Sequence, residues 1–423
     1  MVATDARAVG DDVRAALLET GAEVRDGEGG LDVLDGIATL VKSPGVPREA
    51  PLVAEALRRG ITVIGELELG WRLLGQHEFI ALTGSNGKTT TVELIGHIHR
   101  VAGAPVVVAG NVGTALTSLP GTLEPGAVVV CEASSFQLED TLAFAPDGAV
   151  LINLQEDHLD RHGTFENYRA AKLGISAHQP PGTLAVVPVG LALEDAGGEA
   201  ARVTFGESAP QRVAAGRAAA GADPDLAHLD GTLYWRGEAL MAAAEIRIRG
   251  PHNRENAMAA AAVCLARGLS PEAVSEGLKT FGGVAHRLEE IGTVGGVTYV
   301  NDSKATNVAS TEVALRSFAG RIRLIAGGSE KGSDFTPLRR LVGERCIAVH
   351  LIGETAPRLR AALAGSGVPL HDDHYLARAF EHARSEASSG DVVLLSPACA
   401  SYDQFRSYEE RGDRFRDLVS ATR

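Results

Sequence analysis

The run TGSNGKTTT, Thr83 to Thr91, constrains the fold of this chain more than any other segment. It follows the apolar residues Phe79 to Leu82 and precedes VELIG, an order that predicts a strand, a glycine-rich turn and the start of a helix. Backbone N–H groups at a helix start lack intrahelical acceptors and attract anions. The run therefore predicts a variant phosphate loop, with Leu82 where the first glycine usually stands. An ordinary glycine turn with a helix cap is the alternative interpretation.

The residue types in this loop suit phosphate chemistry. Gly84 and Gly87 let the backbone wrap an anion without a Cβ clash. Lys88 has the reach for the outer phosphates, and a hydroxyl such as that of Thr89 ligates Mg²⁺ in such loops. We therefore predict an ATP-binding segment made of Gly84, Ser85, Asn86, Gly87, Lys88, Thr89 and Thr90.

Composition excludes several classes of protein. The net charge of −14 argues against a broad nucleic-acid or anionic-membrane surface, so neither partner is expected. The four cysteines show no CxxC spacing, which is typical of reduced thiols in a cytosolic protein. We find no apolar run long enough to span a membrane and no signal-peptide pattern at the start, so we predict a cytoplasmic location.

Apolar β-branched runs alternate with helical patterns, which predicts an α/β fold with largely parallel sheets. The length predicts two to three domains, and the pattern divides the chain into three segments, which we interpret as domains. They are a reduced Rossmann-like domain over 1–77 without the usual first strand, a central phosphate-loop ATPase-type domain over 78–283, and a Rossmann-like C-terminal domain over 284–423. Within the central domain, Asp230-Gly231 predicts a hairpin, and Pro251 to Leu265 predicts a helix.

Glu132 follows a buried-strand pattern in the run CEASSFQLE. Ligands of open α/β sheets bind at the carboxyl ends of the strands. A carboxylate there can hold Mg²⁺ opposite Thr89. The alternative is a helix N-terminus capped by Ser134 or Ser135 with an early acidic residue.

The run NLQEDHLDRHG, from Asn153 to Gly163, gathers carboxylates and imidazoles after the next strand. Such a cluster can bind metal, although alone it is more often a solvated loop. We choose His158 as the ligand and expect His162 to cap a helix or to face water. Lys172 lies beside a helical apolar stripe, and periodicity alone places it on the exposed side.

Polar residues at helix starts and strand ends complete the set of candidate site residues. Asn253 and Asn256 lie three apart at a helix start and so share a face, where two amides can read an adenine edge or one can cap the helix. Arg287 can reach phosphate from the last domain. Further polar groups follow predicted strands there, more than loops need, namely Asp302, Lys304, Thr306, Lys331 and Ser401.

These motifs together resemble the Mur ligases. The resemblance runs from about Ser43 to the C-terminus and rests on the runs TGSNGKTTT, GNVGTAL, EASSFQLE, EDHLDRH, YRAAKLG, GPHNRENA, HRLE, NDSKATN and LLSPACASYDQF. The last five are similar to the branch of the family that adds D-glutamate.

The resemblance implies an ATP-dependent ligase that adds D-glutamate to UDP-N-acetylmuramoyl-L-alanine through an acyl phosphate, in cytoplasmic peptidoglycan precursor synthesis. It implies ATP and two Mg²⁺ ions as cofactors, and UDP-N-acetylmuramoyl-L-alanine and glutamate as partners. We expect a monomer. An L-glutamate-adding variant and a non-catalytic nucleotide-binding regulator derived from the family are the alternatives.

The resemblance also implies residue roles. The implied catalytic residues are Lys88, His158, Lys172 and Lys304. The implied metal ligands are Thr89, Glu132, His158 and Lys172, the last as a carbamate that nothing in the sequence itself shows. Adenosine and phosphate contacts beyond the loop are Asn253, Asn256, Arg287 and Asp302. Substrate contacts are Asp5, Arg7, Ser43, Asn111, Ser135 and Gln137 for the UDP-muramoyl part, and Thr306, Lys331, Ser401 and Tyr408, together with Lys304, for glutamate.

Overall fold

The computed structural model describes residues 1–6, 8–27, 30–191, 198–208, 224–248, 250–329 and 332–422. They divide into two compact units, Met1–Phe281 and Gly282–Arg423. Both units are α/β with mostly parallel strand pairs, which confirms the predicted fold class. The domain boundaries proposed from the sequence stay predictions.

The first 77 residues form two pairs of short parallel strands flanked by helices. The strands are β1 (Val2–Asp5) paired with β2 (Glu23–Asp26), and β3 (Thr39–Lys42) paired with β4 (Thr62–Gly65). The helices are α1 (Asp11–Glu19), α2 (Pro51–Arg58) and α3 (Glu66–Leu73). Each of these strands has four residues, and the reduced character of the domain stays a prediction.

The rest of the first unit surrounds a sheet of nine described strands, in the order β13-β12-β11-β10-β9-β8-β5-β7-β6. These strands are β5 (Phe79–Thr83), β6 (Val106–Gly110), β7 (Val128–Glu132), β8 (Gly148–Leu151), β9 (Leu184–Pro188), β10 (Ala201–Glu207), β11 (Leu226–Leu229), β12 (Thr232–Trp235) and β13 (Glu238–Ala242). The helices are α4 (Lys88–Val101), α5 (Ser135–Leu138), α6 (Leu159–His162), α7 (Phe165–Leu173), α8 (Pro251–Ala266) and α9 (Pro271–Thr280).

The centre of this sheet is parallel and buried on both faces. Every residue of β5, β7 and β8 is buried, as their uninterrupted apolar sequences predict. The sheet turns antiparallel only at β11, β12 and β13. The predicted hairpin at Asp230-Gly231 is confirmed, because both residues have the positive φ of a two-residue hairpin turn.

The N-terminal segment is packed into this sheet's core. Leu67 and Leu74 lie in one apolar cluster with Phe79 and Phe144. The buried carboxylate of Glu68 accepts from the backbone N–H groups of residues 142 and 143. Helix α3 is therefore part of the core of the central sheet, whereas Val33, Val53 and Val63 belong to a separate apolar cluster.

The second unit holds six described strands in the order β14-β15-β19-β16-β17-β18, parallel except for the β14–β15 pair. These are β14 (Glu289–Val294), β15 (Val297–Asn301), β16 (Ile322–Gly327), β17 (Cys346–Ile352), β18 (Leu370–His374) and β19 (Val392–Leu395). The helices are α10 (Val308–Arg316), α11 (Leu338–Arg345), α12 (Ala356–Leu363), α13 (Leu376–Glu386) and α14 (Tyr408–Ser420). Among the helices described in either unit, none has the length and apolarity to cross a membrane.

Candidate active site

The phosphate loop joins β5 to α4, as the sequence predicts. Gly87 caps α4 in the left-handed conformation with φ of 83°. A Cβ at Gly87 would come within 2.1 Å of the Asn256 side-chain oxygen, so only glycine fits both the backbone and its neighbour. Lys88 Nζ donates to the carbonyls of Gly84 at 3.0 Å and Ser85 at 3.1 Å. The lysine thus lies along a loop of the kind whose amides can bind an anion.

The segment after β8 holds this loop in place. Asn153 accepts from the backbone N–H of Ser85 with its carbonyl and from that of Asn86 with its side chain. Ser85 Oγ donates to the carbonyl of Gln155 at 2.8 Å and lies 2.9 Å from the hydroxyl of Tyr168. Tyr168 belongs to the apolar stripe beside Lys172, and its hydroxyl has a partner, as tyrosine hydroxyls usually do when buried.

The observed position of Lys172 differs from the one that its periodicity predicts. The pattern of α7 predicts an exposed side chain, and the structure buries it to 2% exposure. Its Nζ donates to the carbonyl of Gly84 at 2.8 Å and lies 4.8 Å from the centre of the Tyr168 ring. Burial, with the nearby charge of Lys88, lowers the pKa of Lys172 to about 7. The expectation from spacing was wrong because the phosphate loop covers this side of the helix.

Glu132 ends β7 directly beside the strand that leads into the loop, paired in register with Leu82. It is buried, and Oε1 accepts from the Asn111 amide at 3.1 Å. Oε2 is also buried and has no hydrogen-bond partner among the described residues. A buried carboxylate oxygen without a donor calls for a cation, so this residue fits a magnesium ligand.

His158 and His162 differ in exposure. His158 begins α6 in the left-handed conformation, and its half-exposed ring lies 5.0 Å from that of Phe136. His162 is buried, with Nε2 2.9 Å from Ser135 Oγ and Nδ1 3.0 Å from Glu139. The expectation that His162 caps a helix or faces water was wrong, because Phe136 stacks on its ring. Burial lowers its pKa.

Three predicted substrate contacts already have partners within the first unit. Asn111 donates to Glu132, and Ser135 pairs with His162. Gln137 forms a capping box with Ser134, as the capping interpretation expects. Their roles toward substrate stay predictions. Asn111 also orients the carboxylate of Glu132.

The predicted adenine contacts lie on α8. The Asn256 amide donates to the side-chain oxygen of Asn253 at 3.2 Å, so the two do share a face. Asn256 is buried against Gly87, which places it at the phosphate loop. Its role toward nucleotide stays a prediction.

The predicted uridine contacts are near the start of the chain. Asp5 ends β1 and is exposed, and Ser43 is exposed where a turn begins after β3. Arg7 lies outside the described residues. Just before this turn, the buried Lys42 ends β3 and forms an ion pair with the buried Asp140, a contact that the sequence analysis missed.

In the second unit, Asp302 follows β15 and is buried. Its carboxylate accepts from Ser396 Oγ at 2.7 Å and from the backbone N–H of Leu288 at 3.1 Å. Burial raises the pKa of Asp302 to about 7. The predicted phosphate contact Arg287 is exposed nearby, and its charge opposes that rise.

The predicted glutamate contacts collect at the same edge of the second sheet. Lys304 Nζ lies 5.9 Å from the centre of the Tyr408 ring, and burial raises the pKa of Tyr408 to about 12. Thr306 is half-buried, and Ser401 is buried after β19. Lys331 lies outside the described residues. Parallel neighbouring strands bring these positions to one edge because their carboxyl ends point the same way.

Arg411 joins the loops that carry these residues, and the sequence analysis missed it. It is 1% exposed and donates to Ser303 Oγ and carbonyl, each at 2.9 Å, and to the carbonyls of Cys399 at 3.0 Å and Ala400 at 3.1 Å. Its spacing with Phe415 and Val419 places it on the buried face of α14, which was the available signal.

Models of two protein families match this chain. Residues 82–264 match the Mur ligase middle domain, and residues 286–399 match the model described as Mur ligase, glutamate ligase domain. Together the two segments cover more than half of the 423 residues.

Curated relatives match over nearly the whole chain. A UDP-N-acetylmuramoylalanine--D-glutamate ligase from Rubrobacter xylanophilus is 43% identical over 431 residues, covering 100% of this chain and 93% of the relative. A ligase of the same name from Solibacter usitatus is 41% identical over 392 residues, covering 92% of this chain and 86% of the relative.

Solved structures share the fold. The UDP-N-acetylmuramate-alanine ligase MurC from Thermotoga maritima has a TM-score of 0.56 at 19% identity, covering 100% of this chain and 94% of its own. The MurF ligase from Thermotoga maritima, solved in complex with ADP, has a TM-score of 0.55 at 18% identity, covering 92% and 96%. These likenesses confirm the predicted three-domain fold.

Proposed function

The chain belongs to the Mur ligase family, and from this premise we propose that it is an ATP-dependent ligase that joins D-glutamate to UDP-N-acetylmuramoylalanine. One observation carries the catalytic part of the proposal. A phosphate loop with Lys88 is bordered by the buried carboxylate of Glu132, one oxygen of which lacks a hydrogen-bond partner. The curated relatives' shared name supports the choice of substrates.

The reaction joins two anions before it joins a carboxylate to an amine. The substrate carboxylate attacks the γ-phosphorus of ATP, ADP leaves, and an acyl phosphate forms. The amine of glutamate attacks the acyl carbon, loses a proton, and phosphate leaves. Charge neutralisation is the main requirement of the first step. Lys88 and the first N–H groups of α4 supply positive charge where the phosphates would lie.

Magnesium fits the donors present beside the loop. Glu132 and the Thr89 hydroxyl would hold one ion, as hard oxygen ligands of the kind that Mg²⁺ prefers. When bound, the metal would supply charge neutralisation on the phosphate oxygens. Asn111 orients Glu132 for this role through its 3.1 Å hydrogen bond.

A carbamate on Lys172 would be an anionic metal ligand, and with His158 it would hold the second magnesium ion. A carbamate forms when a neutral amine attacks CO₂ and releases a proton. The lowered pKa of Lys172, about 7, supports this proposal because the neutral amine is populated near physiological pH. In the unmodified state Lys172 Nζ donates to the carbonyl of Gly84 at 2.8 Å.

Recognition of glutamate is proposed for the carboxyl edge of the second sheet. Lys304 offers a cation for a carboxylate, and Ser401 and Thr306 offer hydroxyls. Tyr408 adds an aromatic face beside Lys304. These assignments rest on the family motifs together with the common location of the residues.

The test is phosphate release from ATP in the presence of UDP-N-acetylmuramoylalanine and a panel of amino acids. We expect release with D-glutamate alone. Release with L-glutamate would replace the stated substrate, and release with no amino acid in the panel would favour the nucleotide-binding regulator.

Two variants test the site itself. Lys88→Met and Glu132→Gln should each lower turnover by at least about 100-fold, since the first removes positive charge aimed at the phosphates and the second removes the anionic ligand proposed for magnesium. Lys279→Met is the matched control, because Lys279 lies on α9 and pairs with Glu245 at the surface. Near-normal turnover in Lys88→Met would refute the assignment.

A further inference from the structure

Three imidazoles and two carboxylates form a cluster in the second unit that the proposed ligase reaction does not use. His350 is on β17, His371 and Asp373 are on β18, and His382 and Glu386 are on α13. The ring of His382 has its centre 4.4 Å from that of His371 and 4.9 Å from that of His350. We call these five residues the histidine cluster.

Asp373 fixes the orientation of two of the rings. Its buried carboxylate lies 2.8 Å from His350 Nδ1 and 2.9 Å from His382 Nδ1, one oxygen to each. Each Nδ1 therefore donates its hydrogen to Asp373, which leaves the Nε2 lone pair of each neutral ring available. A carboxylate behind a histidine in this way is the usual support of a metal-binding imidazole.

The outer part of the cluster offers three ligand atoms close together. One atom each from His371, His382 and Glu386 lie within 4.8 Å of one another. His382 Nε2 is 3.3 Å from Glu386 Oε1, across one turn of α13. Two ligands on a tetrahedral zinc ion are about 3.4 Å apart, given bond lengths near 2.1 Å. The pair is therefore already at the separation that one ion requires.

His350 supplies an independent observation. Its side chain is fully buried, and its Nε2 has no hydrogen-bond partner among the residues described. Its ring stacks on that of His371 at 5.0 Å. Three neighbouring imidazoles would repel one another if protonated, and a buried nitrogen lone pair without a donor is costly. A cation held by His371 and His382 relieves the first condition, because it binds the neutral form of each ring.

We propose that the histidine cluster binds one divalent transition-metal ion of the zinc class. Its ligands are His371, His382 and Glu386, with Asp373 orienting His382 and His350 as the adjoining imidazole. Imidazole-rich sites favour such ions over Mg²⁺, so this site and the phosphate-loop site should bind different metals. Since β18 is the edge strand of its sheet, the ion ties that edge to α13.

The test uses the full chain, stripped with chelator and dialysed, with saturating Mg²⁺ and ADP to fill the phosphate-loop site. Co²⁺ is the probe. We expect one Co²⁺ per chain with the intense visible absorption of four-coordinate cobalt, displaced by Zn²⁺. His371→Asn should weaken binding at least about 10-fold. His374→Asn is the matched control on the same strand and should bind as the unaltered chain does.

Glu386→Gln is a second variant that tests the proposal if His371→Asn folds poorly. Glu386 is at the helix end, and the amide retains an oxygen for Arg323, which lies 2.9 Å from its other carboxylate oxygen. Zn²⁺ should raise the Tm of the unaltered chain and not that of Glu386→Gln. Absence of one-to-one Co²⁺ binding, or equal affinity in Glu386→Gln, would overturn the proposal. Neither readout depends on the ligase reaction.

Discussion

Replacing Arg411 with lysine tests whether one buried guanidinium holds together the two loops proposed to bind glutamate. Arg411 donates to four acceptors on two loops, two of them on Ser303 and one each on Cys399 and Ala400. Those loops also carry Lys304 and Ser401. Lysine keeps the charge, but its single nitrogen cannot span the two loops as the planar fork does.

The expected loss follows from the acceptors left behind. We take Arg411→Lys to lose at least two of the four hydrogen bonds. A buried carbonyl left unpaired costs about 1–3 kcal/mol, so the second unit should lose roughly 2–6 kcal/mol. At about 3 °C per kcal/mol for a unit of this size, its Tm should fall by roughly 6–18 °C. Burial also lowers the pKa of Arg411 to about 10, so the group is charged at neutral pH.

The assay is differential scanning calorimetry of the full chain, followed by kinetics below the lowered Tm. The KM for D-glutamate should rise about 10-fold, equivalent to about 1.4 kcal/mol, while the KM for UDP-N-acetylmuramoylalanine stays constant. Arg414→Lys is the control, since Arg414 is exposed on the same helix. A Tm for Arg411→Lys within about 2 °C of the unaltered chain would refute the reasoning.

Three further perturbations have defined outcomes. The pKa of Asp302, raised by burial from 3.8 to about 7, means that the folded state binds more protons than the unfolded state between those values. The free energy of unfolding should therefore fall as pH rises through that window, and Asp302→Asn should flatten the fall in urea titrations; an unchanged slope would contradict it. Lys172→Ala should abolish phosphate release and regain part of it with short-chain carboxylates, whereas full activity without them would show that no carbamate is needed. Tyr168→Phe should cost about 1 kcal/mol by urea unfolding, since it removes the 2.9 Å hydrogen bond to Ser85, and an unchanged midpoint would assign that bond no net value.

Local sequence was sufficient for the elements of the fold. The phosphate loop was predictable because its glycines and Lys88 are required by backbone geometry and charge at a strand-to-helix turn. The Asp230-Gly231 hairpin was predictable for the same kind of reason, since its two positive φ angles favour those residue types. Such signals lie within a few residues of one another, so no knowledge of distant packing is needed.

The positions of buried polar groups were harder to predict from the sequence. Periodicity placed Lys172 in solvent, whereas a loop about 85 residues earlier in the chain covers it. His162 was misplaced because Ser135 and Phe136 reach it from a different element. Arg411 lies among the other charged residues of α14, although its spacing with Phe415 indicates the buried face. Contacts between distant segments decide these cases, and one sequence does not record them.

The burial of Lys42 against Asp140 limits how the ligase can be truncated. A polypeptide beginning at residue 78 would leave the Asp140 carboxylate, 1% exposed, without its lysine. Removing one member of a buried pair costs about 3–5 kcal/mol. It would also strip Leu67 from the apolar cluster it shares with Phe79. Exchanging the N-terminal segment between relatives should therefore succeed only when the side chains that match Lys42 and Leu67 are exchanged with their partners.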